Sequence, residues 1–171
     1  MAIITLGANA ITALPAGVGG KVLQVVSATK TDTISTTSNV FSDVLTASIT
    51  PTSASNKILI ISSTNIGLSD AGLRAMTRLV RDSTAIFIGD TAGSRARASW
   101  QGGSFSLAST ESVNHTFLDS PNTTSATTYK LMATLGSSYS GTFYLNRSWN
   151  DGDGNYSGRT ASTITVMEIA A

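Results

Sequence analysis

The stretch Tyr129-Lys-Leu131-Met-Ala133-Thr-Leu135 sets the fold class. Tyr129, Leu131, Ala133 and Leu135 alternate with Lys130, Met132 and Thr134, a period of two. Side chains of a β-strand point alternately to the two faces of a sheet, so this pattern reads as a strand with one face in a core. Moving outward, Val113, His115 and Phe117 repeat the period on the N-terminal side, and Asp119-Ser-Pro-Asn-Thr-Thr124 supplies the turn between. On the C-terminal side Phe143, Leu145 and Arg147 alternate with Tyr144, Asn146 and Ser148. Asp151-Gly-Asp-Gly-Asn155 is a loop, and Ser162–Ala170 is a terminal strand with Ile164 and Val166 on one face and Met167 and Ile169 on the other.

The first half follows the same rhythm. Val22–Ala28 reads as a half-buried strand. In the next one, Phe41, Leu45, Ala47 and Ile49 share a face. Thr50–Asn56 is a turn cluster, and Ile58 to Ile61 are apolar at every position, which suggests a central strand covered on both sides. Residues 70–88 fit two readings. As a helix, Leu73, Met76 and Val80 form a face opposite Arg74, Arg78 and Arg81. As a strand, Leu73, Ala75 and Leu79 point one way, and Arg81-Asp-Ser-Thr84 turns into Ala85–Gly89 as a hairpin. The period of two on either side favours the hairpin. Thr91–Ser109 reads as a long loop with a short strand near Trp100. Eight or nine strands without a long helix close as an all-β, two-sheet antiparallel β-sandwich, jelly-roll-like, or as a barrel.

Composition narrows the function classes. Of 171 residues, 50 are Ser or Thr and only 12% are charged, so hydroxyls rather than ions coat the surface. With a net charge of +1 there is no long-range field for nucleic acid or an anionic membrane. Cysteine is absent, which removes disulfides and thiolate metal sites and suits synthesis in a reducing cytoplasm. The N-terminus lacks the basic start and long apolar run of a signal peptide, and Ile58–Ile61 is far too short to span a membrane, so a soluble protein without membrane insertion is expected.

The motifs that carry chemistry elsewhere fail here. Gly17-Val-Gly-Gly-Lys21 has Val22 where a phosphate loop needs Ser or Thr, and Pro15 where it needs Gly. His115 is the lone histidine; its alternation with Val113 and Phe117 makes it a packing or interface residue. Asp151, Asp153 and Asn155 place oxygens at the first three spacings of an EF-hand, but Tyr156 and Ser162 stand where Gly and Glu belong. Four Asn-x-Ser/Thr sites occur, at Asn114, Asn122, Asn146 and Asn155, where chance gives roughly two or three, and without a signal peptide none reads as glycosylated. Arg74, Arg78, Arg81, Arg95 and Arg97 read as a solvated or subunit-contact face, with Asp82 and Asp90 offsetting part of the charge. No catalytic residue, metal site or cofactor is expected, and the chain reads as a non-enzyme.

Two features point to binding. Residues 1–20 form a candidate docking arm, with Ile3, Ile4, Leu6, Ile11 and Leu14 spread among small residues and no charged side chain. The alternative is an ordinary first edge strand. The sandwich domain then covers residues 21–171. Trp100, Tyr139, Trp149 and Tyr156 fall in or near expected loops, where aromatics stack on sugars, anchor an interface or pack the loop itself.

The stretches Ala47-Ser-Ile-Thr-Pro-Thr-Ser-Ala-Ser-Asn-Lys-Ile-Leu-Ile60, Arg81-Asp-Ser-Thr-Ala-Ile-Phe-Ile-Gly-Asp90, Leu118-Asp-Ser-Pro-Asn-Thr-Thr-Ser-Ala-Thr-Thr-Tyr129 and Ser162-Thr-Ile-Thr-Val-Met-Glu-Ile169, in that order, resemble virion surface proteins of tailed marine bacteriophages, of the tail-fibre or head-decoration type. The resemblance implies a β-sandwich, often trimeric, synthesised in the host cytoplasm and displayed on the virion surface. Its implied partners are further copies of itself, capsid, neck or tail proteins, and in a receptor-binding tip a host surface glycan. Only about 20 residues precede the sandwich, which departs from a long fibre with a shaft and favours a compact knob, head decoration or fibre tip docked by a short arm.

Overall fold

The structure, a computed structural model, describes residues 20–103, 108–136 and 140–171. The docking-arm residues Ile3, Ile4, Leu6, Ile11 and Leu14, and Tyr139 among the aromatics, lie outside the described residues. Eleven strands occur in order among the described residues: β1 Val22–Lys30, β2 Ile34–Thr36, β3 Ser42–Ile49, β4 Lys57–Leu68, β5 Ala75–Arg81, β6 Thr84–Ile86, β7 Trp100–Gly102, β8 Glu111–Asp119, β9 Thr127–Leu135, β10 Phe143–Leu145 and β11 Ser162–Ile169.

They form two wholly antiparallel sheets. The first runs β1-β11-β4-β8, with β10 continuing the β11 side of β4 and β2 outside β10. The second runs β3-β9-β5, with β6 and β7 sharing the far side of β5. The chain crosses between the sheets on passing from β2 to β3, β3 to β4, β4 to β5, β7 to β8, β8 to β9 and β9 to β10. That order of crossings, with these neighbours, is the jelly roll. The expected all-β sandwich is therefore observed.

The period of two fills the space between the sheets. Ile58, Ile60, Ile66 and Leu68 of β4, with Ile164 and Val166 of β11, face Leu45, Ala47 and Ile49 of β3, Leu79 of β5, and Tyr129, Leu131, Ala133 and Leu135 of β9. Burial of this interdigitated aliphatic layer is the main favourable term for the fold. The ambiguous segment 70–88 resolves as the hairpin β5–β6. Asp82 sits in its two-residue turn at φ 53°, the left-handed conformation that tight hairpin turns need. Asp82 also accepts a hydrogen bond from the Thr128 amide at 2.8 Å, fixing the turn to β9.

Three local expectations change. The register of β3 shifts between Asp43 and Leu45, so Val44 and Leu45 are both buried. This bulge removes Phe41 from the inner face, and its ring instead lies 3.9 Å beneath the Arg78 guanidinium. Alternation beyond Leu145 stops at Asn146, which turns at φ 62°. Its buried amide donates to the carbonyls of Lys30 (2.8 Å) and Asp32 (2.9 Å). β4 is central, but the second sheet covers only one of its faces, and Ile61 on the other is 38% exposed. An all-apolar run is thus no proof of a doubly covered strand.

Candidate functional site

The outer face of the first sheet carries an apolar band whose composition follows from strand register. Val25 lies opposite Met167, Met167 opposite Leu59, and Leu59 opposite Leu118. One row of large apolar side chains therefore crosses β1, β11, β4 and β8. Val22 and Ile169 form a partial row on one side, and Ser27, Thr165, Ile61 and Thr116 a mixed row on the other. Val25 is 54% and Leu118 49% exposed, and Val22 and Leu23 are exposed as well. The following row, Thr29, Thr163, Ser63 and Asn114, is wholly polar. Lys57 is the band's only charged residue and sits at its margin, donating to Ser120 Oγ at 2.9 Å. Contiguous apolar surface, more than scattered single residues, is what interaction sites present. The alternation in Ser162–Ala170 already placed Met167 and Ile169 on one face; matching Met167 to Leu59 and Leu118 needed the registers.

The second candidate surface is the loop from β10 to β11. Trp149 is 48% and Tyr156 66% exposed. The Tyr156 ring rests on Gly154, where an added Cβ would come within 2.5 Å of it, so glycine lets the ring lie flat. The Asp151 carboxylate accepts from Arg159 Nε at 2.7 Å and has Arg147 Nη1 at 3.5 Å, while the Arg147 guanidinium lies 4.0 Å over the Tyr144 ring. The loop sequence that resembles part of a calcium site thus points its first carboxylate at two arginines. Asp151, Asp153, Ser157 and Arg159 line a shallow cleft of about 360 Å³ with Gly152 and Gly154. Trp100 is placed differently. It is half-buried in β7 against the core, with its ring over Gly102.

Four of the five arginines of the middle segment have partners within the chain. Arg78 donates through Nε and Nη2 to the Arg97 carbonyl, Arg97 donates to the Gly89 carbonyl, and Arg74 to those of Gly72 and Leu73. Arg81 pairs with Asp119.

Three buried polar groups link the elements beneath these surfaces. His115 stands between Ser62 Oγ, 3.2 Å from Nδ1, and Thr77 Oγ1, 3.1 Å from Nε2, and so bridges the two sheets. Burial lowers its pKa to about 4, so the ring is neutral. Enclosed in this way it is a packing residue, as its spacing suggested. Asp119 accepts from Arg81 Nη1 (2.8 Å) and Tyr129 Oη (2.7 Å); burial, then that hydrogen bond, pushes the Tyr129 phenol up. Glu168 is fully buried at the end of β11. Burial alone raises a carboxylate's pKa, but hydrogen bonds from Asn56 (2.6 Å), Gln24 (2.6 Å) and the Thr52 hydroxyl (2.8 Å) and amide (2.7 Å) outweigh it and hold Glu168 at about 2. Sequence reading passed over both acids. The signal was there for Glu168, since Ile164-x-Val166-x-Glu168 continues the inward face.

No family model matches the sequence, and no curated protein matches it. Among solved structures, the infectious bursal disease virus VP2 subviral particle is similar over 85% of this chain, at 14% identity and a TM-score of 0.38. The match covers 41% of that chain, so the present protein spans less than half of its length.

Proposed function

We propose that the protein is a non-catalytic structural component of a bacteriophage virion, a compact surface knob, head decoration or fibre tip that associates with copies of itself and attaches through its N-terminal arm. The observation that carries this reading is the apolar band on the outer face of a hydroxyl-rich jelly roll, at the end of the sheet where β1 begins. A surface of that kind is stabilised by association, and symmetric assembly multiplies the gain. The absence of cysteine and the shortage of charge suit a compact β module assembled in a reducing cytoplasm and then exposed to proteases on a particle. The sequence resemblance to virion surface proteins points the same way.

Deleting residues 1–16 tests the reading. The expected outcome is a folded sandwich that no longer attaches to the particle. Incorporation of the truncated chain at normal occupancy overturns the docking role, and its unfolding would make the arm part of the core.

A second reading rests on Tyr156 and Trp149. A flat, exposed tyrosine beside a cleft with Asp153 and Arg159 suits stacking and hydrogen bonding to a sugar. In that case the protein is a receptor-binding tip for host surface glycans. A glycan array with the intact chain and with Tyr156→Ala decides it: a sugar bound by the first and lost by the second supports this reading, and no bound sugar removes it.

A further inference from the structure

The strands β6 and β7 share one edge of β5, and residues 87–99 leave that edge between them as a loop. A long loop without strand or helix loses much entropy on being fixed, and this one is fixed at several points. At its start Phe87 takes φ 51°, a left-handed conformation that strains a bulky residue, with its ring stacked on Phe117 of β8 at a centroid distance of 5.1 Å. At its end the Ser99 amide donates to the Thr77 carbonyl at 2.8 Å, and the Ser99 hydroxyl accepts from the Leu79 amide at 2.9 Å. The Gly89 amide donates to the Ala98 carbonyl at 3.2 Å and Arg97 Nε to the Gly89 carbonyl at 2.6 Å, which together close the neck. Arg78 of β5 ties the neck to the sheet by donating twice to the Arg97 carbonyl, at 3.1 and 2.7 Å. The tip turns at Gly93, φ 59°, where the Arg95 amide donates to the Ala92 carbonyl.

The loop so held borders a shallow cleft of about 360 Å³ whose lining includes Asp90, Arg95, Arg97, Ser99, Trp100 and Gln101. Its charge is unbalanced. Among the described residues no carboxylate pairs with Arg78, Arg95 or Arg97. Arg78 and Arg97 donate to carbonyls, which leave the positive charge in place, and Asp90 is the single acid in the lining. Burial, and then the nearby Arg97 charge, lower the pKa of Arg78, so the two guanidiniums feel one another. Like charges fixed close together are relieved by an anion between them. A guanidinium fork matches the paired oxygens of a carboxylate, sulfate or phosphate. Ser99 Oγ, already an acceptor, keeps its own proton to donate, and the Gln101 amide is a further neutral donor.

We propose that the loop between β6 and β7 binds an oxyanion, the sulfate, phosphate or carboxylate group of a small acidic ligand, with Arg95 and Arg97 holding its oxygens and Trp100 and Gln101 beside it. Arg78 is a positioning residue that acts through the Arg97 backbone. The cleft shares no lining residue with the one beside Tyr156, and the proposal rests on neither reading of the function above.

The chain has two tryptophans, so Trp149→Phe leaves Trp100 as the single indole and its emission reports on the cleft. Full-length protein carrying that substitution is titrated with sodium sulfate, sodium phosphate and sodium glucuronate, each against sodium chloride at matched ionic strength, and with glucose. Binding is read by Trp100 emission and by calorimetry. Saturable binding of at least one of the three anions is expected, with none of glucose, and the anion that saturates at the lowest concentration names the group the site takes. Arg95→Gln, an exposed change that should leave Tm unaltered, is expected to weaken that binding by about tenfold or more, as loss of a charged hydrogen-bond donor does. Asp90→Asn removes the opposing charge and should tighten binding several-fold, a gain that a loosened loop would not give. A response that follows ionic strength alone, binding of glucose as tight as that of glucuronate, an affinity unmoved by Arg95→Gln, or one not raised by Asp90→Asn overturns the proposal.

Discussion

Replacing Glu168 should reveal how much of the stability of the β1–β11 end depends on one carboxylate. It gathers four hydrogen bonds from three partners: Gln24 in β1, and Thr52 and Asn56 in the β3–β4 turn. Among the described residues no cation pairs with it, and the hydrogen bonds to its charge come from neutral groups. Glu168→Ala removes the acceptor and leaves donors without a partner in a buried site, a change that costs about 3–5 kcal/mol when a buried charge network loses one member. The four bonds share one acceptor group and do not add independently. For a domain of this size each kcal/mol shifts Tm by about 2–4 °C, so a fall of about 6–20 °C is expected. Glu168→Gln keeps one acceptor oxygen but turns an amide N–H toward the donors, and should cost about 2–3 kcal/mol. The folded pKa of about 2 lies below the ordinary glutamate value of 4.5. The carboxylate's stabilisation is then complete above pH 4.5 and is lost as pH falls toward 2. Thermal melts of the native chain and Glu168→Gln across this range isolate the effect: the gap in Tm should be widest at neutral pH and narrow below pH 4.5. A gap that stays constant from pH 7 to the acid limit would refute the argument, because the donors would then not be holding a charge.

His115 is the lone histidine, so its proton resonances are unambiguous. With its pKa lowered to about 4, they should not titrate above about pH 5. The stability the neutral ring supplies is present above pH 6.5 and falls as pH drops toward 4. Tyr129→Phe, which removes the hydroxyl donating to Asp119, should destabilise by about 1–2 kcal/mol in chemical denaturation with an unchanged m-value. Chelator should leave Tm unchanged, since Asp151 is engaged by Arg159 and Arg147; a loss restored by added calcium would show that the loop holds a metal. Light scattering of the full chain at micromolar concentration should report a trimer, and a monomer there counts against self-assembly through the arm.

The sandwich was legible because its long strands have one buried face. Tyr129-x-Leu131-x-Ala133-x-Leu135 needs no partner to be read, since the period of two is a property of the strand itself. The failures occurred where geometry departs from that period or depends on a second strand. One extra residue in β3 moves Phe41 to the opposite face, and nothing in the local sequence marks the bulge. Asn146 adopts φ 62° because its side chain is tied to the carbonyls of Lys30 and Asp32, distant partners that sequence does not name. The apolar band was hidden differently. Leu59, Met167 and Leu118 each look like one more aliphatic in a strand, and only the registers align them across the sheet. Of the aromatics, Trp149 and Tyr156 are exposed, while Trp100 packs against the core beside Gly102.

In chain order β11 follows every other described strand, yet it sits between β1 and β4 in the middle of its sheet. During synthesis the first sheet therefore exists as two separate pieces. Until residues 162–169 emerge, the β11-facing edges of β1 and β4 have backbone groups without their final partners, and Ile58 and Ile60 lack Glu168 and Val166 opposite them. Such an interval is slow to close, because the pairings span most of the chain, and an open apolar edge invites pairing with another nascent copy. Insertion of one short strand then completes both ladders and the buried Glu168 cluster together. Completion of the first sheet therefore waits on residues 162–169, the last strand described.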